Sequence, residues 1–216
     1  MSRVNLSLSS KRKTQCENAI FPADYYDIPG LQGYEDLDAV RSCALSSLRQ
    51  YENNAVNIYV NGGLAIETLT AIQVARMLNI DLNLFQWNRR TGEYLEQKVL
   101  WKPGVGMHKD EESEDFSLCD KRHYGMKGKF LYPDILQDQL FDFDWQMEHV
   151  KKILMQYQCG AIRLYLSGFT PAYVSVLNAA YEFKIAVVAM HYNCDTENYF
   201  PQDMENCKRG IYDRAN

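Results

Sequence analysis

The chain has 216 residues, 46% of them hydrophobic and 24% charged, with a formal net charge of -5. That is ordinary globular composition, enough to bury a core in one large domain or two small ones and unlike a disordered or membrane-embedded chain. The acidic balance argues against a broad duplex nucleic-acid footprint, which needs a positive surface, and leaves room for a small anion held by local groups.

Met1 to Lys13 carries basic residues without a following apolar run, and no segment approaches the roughly eighteen apolar residues that span a bilayer. Six cysteines, at 16, 43, 119, 159, 194 and 207, occur without a CxxC pair, which suits reduced thiols in a cytoplasm. A cytoplasmic protein without a membrane anchor is expected.

Val4 to Leu8 reads as a first strand. After Asp38, an expected helix N-cap, Val40, Ala44, Leu48 and Tyr51 mark a one-faced helix. Val56 to Val60 is a β-branched and aromatic run leading into Asn61-Gly62-Gly63, then a helix over Ile66 to Leu78. Leu82 to Trp87 predicts a strand, Asn88-Arg89-Arg90-Thr91-Gly92 a tight turn, and Glu93 to Gln97 a last strand. Lys102 to Met126, with Pro103, Gly104, Gly106 and the acidic run Asp110 to Asp115, reads as a polar linker or loop. His108, Cys119 and His123 within it fit no zinc spacing.

The pattern then returns. Phe130 to Tyr132 is the expected counterpart of the first strand. Asp144 precedes a helix with Met147, Val150, Leu154 and Tyr157 on one face. A strand over Ile162 to Leu166 leads into Ser167-Gly168-Phe169-Thr170. Pro171 suits the first turn of a helix running to Phe183, where its missing N–H costs nothing. Ile185 to Tyr192, nearly all apolar, predicts a covered strand, followed by the turn Asn193 to Glu197 and a strand from Tyr199 to Gln202.

Laid over one another, Leu48–Gly62 and Leu154–Gly168 align without a gap and share six identities, Leu48/Leu154, Gln50/Gln156, Tyr51/Tyr157, Ala55/Ala161, Tyr59/Tyr165 and Gly62/Gly168. After one extra glycine, Gly63, the register resumes through Ala75/Ala180, Ile80/Ile185, Asn88/Asn193, Thr91/Thr196, Tyr94/Tyr199 and Gln97/Gln202. Those twelve identities over some fifty positions compare with about three expected from residue frequencies. The expected fold is therefore α/β, as two tandem diverged Rossmann-like β-α-β-α-β-β units packed as an intramolecular pseudo-dimer. The expected boundaries are 1–101 for the first repeat, 102–126 for the linker and 127–216 for the second.

Each unit places glycine and a small polar residue between a strand and a helix, where backbone N–H groups and the positive helix end converge on a potential phosphate site. The same glycines would also serve a tight turn with no ligand. No P-loop and no full GxGxxG fingerprint is present, so a conventional nucleotide-dependent enzyme is disfavoured.

The segment Val60-Asn-Gly-Gly-Leu-Ala-Ile-Glu67 resembles the strand-Thr-Gly-Gly-Thr-Lys-helix segment of the CRISPR-associated Rossmann-fold (CARF) superfamily. Phe85-Gln-Trp-Asn-Arg-Arg-Thr-Gly92 is similar to the hydrophobic-Asp-Pro-Arg-x-Gly turn of its compact ring-nuclease branch. The resemblance covers about forty residues per unit and implies binding of a cyclic oligoadenylate at a twofold interface, in antiviral defence. It implies ligand contacts at Asn61, Gly62, Gly63, Ser167, Gly168, Thr170, Asn88 and Asn193, and places Arg90 at the family's arginine. Asn88 stands where that family has aspartate and Arg89 where it has proline, so binding, sequestration or slow ring opening is expected rather than metal-assisted hydrolysis.

If the ring is cut, a ligand 2′-hydroxyl would attack the adjacent phosphate, with Arg90 stabilising charge and His191 moving a proton. A buried structural histidine is the other reading of His191. No cofactor and no metal is expected, and a small nucleotide is the expected partner, with a homo-oligomer admissible. The rival function is a non-enzymatic protein-interaction module of a mobile genetic element.

Overall fold

A computed structural model describes residues 3–9, 16, 18–21, 36–60, 65–101, 113–119, 125–135, 138–157, 159–167 and 169–205. Asn61, Gly62, Gly63 and Gly168 lie outside these residues, as do His108 and His123.

The first sheet is built from β1 (Val4–Ser9), β2 (Ala19–Phe21), β3 (Ala55–Val60), β4 (Asp81–Asn88) and β5 (Glu93–Lys98), in the order β2-β1-β3-β4-β5. The second uses β6 (Ser113–Cys119), β7 (Lys129–Tyr132), β8 (Ala161–Tyr165), β9 (Ala186–Asn193) and β10 (Asn198–Asp203), in the order β7-β6-β8-β9-β10. Strand for strand the two orders are the same. In each, four strands run parallel and the last returns antiparallel as a hairpin. Four helices complete the units: α1 (Leu37–Leu48) and α2 (Ala65–Met77) in the first, α3 (Phe143–Leu154) and α4 (Thr170–Glu182) in the second.

The residues matched in sequence take equivalent places. Tyr59 of β3 pairs with Ser7 and Phe85, and Tyr165 of β8 pairs with Ser117 and Met190. Both tyrosines pack edge-on against the tyrosine of their own hairpin, Tyr94 at 4.9 Å and Tyr199 at 4.8 Å. Left-handed backbone recurs at Asn79 and Lys184, and again at Gly92 and Glu197.

Three sequence expectations are corrected. Residues 102–126 are not all linker, because Ser113–Cys119 forms β6, a central strand hydrogen-bonded on both sides. The acidic run hides it. Asp115 pairs with Arg163 of the adjacent strand at 2.6 Å, and Phe116, Ser117 and Leu118 are fully buried. Gly128, with φ of +77°, permits the close approach on which this strand depends, since a Cβ there would lie 1.6 Å from the carbonyl oxygen of Asp115.

The counterpart of β1 is therefore β6. Phe130 to Tyr132, read as that counterpart, falls in β7, which answers to β2, so each unit has two strands before its first helix. The N-caps are Asp36 and Asp142, two residues before the aspartates chosen from sequence. Each carboxylate accepts the N–H three residues on, from Ala39 and Trp145, at 2.9 Å. Asp38 and Asp144 sit inside the first turn instead.

Helices α2 and α4 are buried almost all round. Every residue from Ile66 to Arg76, and from Pro171 to Ala180, is inaccessible. A helix enclosed on all sides must satisfy any polar groups it carries within the protein. Here they do so across the seam between the units, twice over. Gln97 of β5 donates to Pro171 O (2.9 Å) and Ser175 Oγ (3.1 Å) of α4, while its sequence equivalent Gln202 of β10 donates to Thr70 Oγ1 (3.1 Å) of α2. Asn178 Nδ2 donates to Lys98 O, and its equivalent Gln73 Nε2 donates to Asp203 O, both at 2.8 Å. Residue i meeting j while i-equivalent meets j-equivalent is the signature of a twofold interface, reproduced here inside one chain.

Gln97→Leu should remove these donors and leave Gln86 and Ser175 short of a partner inside the seam. We expect a loss of about 1–3 kcal/mol in unfolding free energy, measured by urea denaturation, whereas a change within error would mean that the amides do not hold the units together.

Candidate functional site

The dyad relating the units can be located from one contact. Thr68 and Tyr173 are equivalent positions, each the fourth residue of its helix, and they lie against one another. Only on a twofold axis does a residue meet its own counterpart. The axis therefore passes between the first turns of α2 and α4, and the two helix starts face each other within about one turn, roughly 5 Å of rise. Both starts follow the carboxyl ends of central strands, β3 and β8.

The side chain of Phe169 at the N-cap of α4 has no acceptor to offer and makes no capping bond, and Pro171 follows in the first turn, at the positive end of the helix. Thr170, half-buried, is the first residue of that helix. Tyr173 is fully buried, with its hydroxyl beside Thr170 and Thr68 but without a hydrogen bond of acceptable geometry to either. Burial pushes its phenol well above the usual range, the neighbouring Glu67 adds to that, and the two threonines oppose it. Glu67, in the first turn of α2, is itself buried and has alanine at its equivalent position, Ala172.

The remaining sequence-chosen residues divide. Ser167 is buried and its Oγ accepts the N–H of Cys119 at 3.2 Å, tying the ends of β8 and β6 together. Asn88 and Asn193 close equivalent turns. Asn88 Oδ1 accepts Arg90 N at 3.0 Å, and Asn193 Oδ1 accepts Asp195 N at 2.7 Å. Arg90 is exposed at its turn and, with Asn88, lines a cleft of 890 Å³ between β5 of the first unit and α3 and α4 of the second.

His191 is not at an open edge. It is 5% exposed, stacks on Phe200 and binds Gln202 Oε1 at 2.8 Å; because that oxygen only accepts, Nε2 carries the hydrogen. Burial lowers its pKa to about 4, with the bond to Gln202 opposing the shift. Its equivalent, Gln86, binds Gln97 at 3.0 Å in the same way. Sequence reasoning passed over Thr68 and Tyr173, although their alignment one turn into a buried helix was readable from the repeat.

No protein-family model and no curated protein matches this sequence. Among solved structures, the chain is similar to the Cap4 SAVED/CARF-domain containing receptor of Acinetobacter baumannii with the cyclic trinucleotide 3′3′3′-cAAA, with TM-score 0.50 and 11% identity over 94% of this chain and 49% of that one. The same receptor with 2′3′3′-cAAA gives TM-score 0.49 and 12% identity, covering 94% and 51%. The Cap4 receptor of Moraxella osloensis gives 0.48 and 12%, covering 94% and 49%. The chain spans about half the length of each of these receptors. It shares with the first of them a fold of paired α/β units. No helix among the described residues is long and apolar enough to cross a membrane.

The unfolded chain protonates His191 near 6.5 and the folded chain only near 4, so unfolding takes up a proton between those values. Stability should be fully present above pH 6.5 and fall by on the order of 3 kcal/mol as pH drops toward 4. His191→Gln, which installs the residue found at the equivalent position, should flatten that limb in denaturation curves taken from pH 7 to 4. An unchanged limb would assign the pH dependence to other groups.

Proposed function

We propose that this protein binds a cyclic oligonucleotide second messenger, a cyclic oligoadenylate in the first instance, on the axis between its two units. The observation that carries the reading is the meeting of Thr68 and Tyr173, which brings two helix starts to one spot. Paired positive helix ends suit a ring of phosphodiesters, and peptide N–H groups accept no competing proton. Arg90, from the turn that resembles the ring-nuclease motif, would meet a phosphate from the first unit, and Asn61, Gly62, Gly63, Gly168 and Thr170 would supply the corners.

Cleavage is not part of the proposal. His191 is committed to Gln202 and held neutral by burial, which removes the proton carrier that ring opening would use. We read the molecule as a sensor or sequestering protein of a defence system. Duplication of one ancestral unit accounts for the matched sequence, strand order and seam bonds together.

Titration calorimetry against cyclic tri-, tetra- and hexa-adenylate tests the reading. Heat with at least one ring is expected, and Arg90→Ala should weaken that binding about tenfold, the worth of one charge-assisted hydrogen bond. No heat with any ring would remove the proposal.

A further inference from the structure

Each sheet ends in its hairpin strand, β5 in the first unit and β10 in the second, with one side of that strand unpaired. Hydrogen bonds fix which residues face outward there. Asp81 N donates to Asn54 O and Val99 N to Leu82 O, so the odd-numbered residues of β4 bond to β3 and the even-numbered ones to β5. Glu96 lies opposite Phe85, and its N–H and C=O therefore point away from the sheet. By the same parity Pro201 of β10 faces outward, since it lies opposite Met190, whose carbonyl bonds to Leu166. Glu96 and Pro201 are equivalent positions, each one residue before the matched glutamine.

The two edges are closed to different degrees. A proline at an outward position removes the donor that another strand would need. In β10, Pro201 does this, and Gln73 Nε2 occupies the carbonyl of Asp203 at 2.8 Å. In β5 the far end is closed in a similar manner, with Asn178 taking Lys98 O at 2.8 Å and Leu100 N at 2.9 Å as a strand residue would. Glu96 keeps both of its main-chain groups, and among the described residues nothing bonds to either. This edge borders the 890 Å³ cleft between β5 and the helices of the second unit. Half-buried Leu95, Phe141, Phe143 and Met147 give the cleft an apolar lining, and three exposed carboxylates, Asp138, Asp142 and Asp144, stand on its α3 side. With Glu96 the lining holds four carboxylates against two cations, Arg90 and Lys98.

We propose that β5 is a docking edge for an extended, basic peptide segment of a partner protein, which pairs with Glu96 as a further strand and lays lysine or arginine side chains toward Asp138 and Asp144. Main-chain bonds supply the attachment, and alternate side chains on one face of the added strand reach the cleft. A second copy of this chain suits the edge poorly. An antiparallel copy centred on Glu96 sets that carboxylate opposite itself and brings two sets of aspartates together.

The probe is a fluorescein-labelled octapeptide alternating threonine and lysine, compared with one alternating threonine and glutamate, with binding read by fluorescence anisotropy in the absence of nucleotide. The wild type should bind the lysine peptide about tenfold more tightly or better. Glu96→Pro, which installs the residue of the equivalent edge and spares the bonds to β4, should weaken that binding about tenfold through the lost N–H and the ring in its place. Asp138→Asn with Asp144→Asn leaves the capping Asp142 in place and should bring the two peptides to within about threefold of one another. Should Glu96→Pro fail to fold, the peptide carries the test. Of two lysine peptides, methylated on every threonine nitrogen or on every lysine nitrogen, at least one should bind the wild type about tenfold more weakly than the parent.

The assignment is overturned if neither peptide binds the wild type, or if the glutamate peptide binds as tightly as the lysine one. It is also overturned if folded Glu96→Pro or both methylated peptides keep the full affinity, or if the double aspartate variant keeps the full preference. A wild-type dimer in sedimentation that Glu96→Pro dissolves would give the edge to a second copy and overturn it too. None of these outcomes bears on the nucleotide reading, which the assay does not use.

Discussion

Two amides, Gln97 and Gln202, sit where water does not reach, and neither can be satisfied within its own unit alone. Each accepts from a residue of its own sheet and then donates across to the buried helix of the other unit. An unpaired buried amide costs about as much as a whole hydrogen bond contributes, so sliding one unit over the other would break several bonds for no gain. The seam consequently has one register. That register sets where α2 and α4 cross, and the crossing sets where their first turns meet.

The composition of those helices follows from the same constraint. A helix facing solvent on one side shows a polar stripe, as α3 does with Glu148, Lys151 and Lys152. In α2 and α4 the polar residues Thr70, Gln73, Ser175 and Asn178 are instead directed at the opposite unit. They are amides and hydroxyls, groups that hydrogen-bond without the desolvation cost of a charge. The functional reading depends on this rigidity, because donors at two separate helix ends can address one ligand only if the ends are fixed relative to one another.

Much of the architecture was legible in the sequence, since burial imposes its periods directly. The alternation in β3 and β8 and the helical spacing of α1 and α3 gave elements, and matching residues gave the pairing of units. What escaped had local causes. β6 begins within an acidic run because Asp115 is neutralised by Arg163, a partner nearly fifty positions away. The true N-caps were missed because aspartate occurs both at the cap and inside the first turn, and propensity alone does not separate the two. Among the candidate site residues, Asn88, Asn193 and Arg90 were chosen by motif, and the two asparagines close equivalent turns. His191 was judged by its place beside the strand end, whereas its role is decided by Gln202, reached across a hairpin. Thr68 and Tyr173 carry no motif at all, and their importance comes from where the axis falls.

That tyrosine opposite a threonine has a consequence for how such a molecule can change over generations. When two identical subunits assemble, one codon writes both sides of the central contact, so a bulky replacement collides with itself and is rejected. With both sides encoded separately, a large residue can be accommodated by a small one facing it, and each flank can then drift or be selected without its mirror image following. A single reading frame thereby gains access to unequal surfaces that an assembly of copies is barred from making.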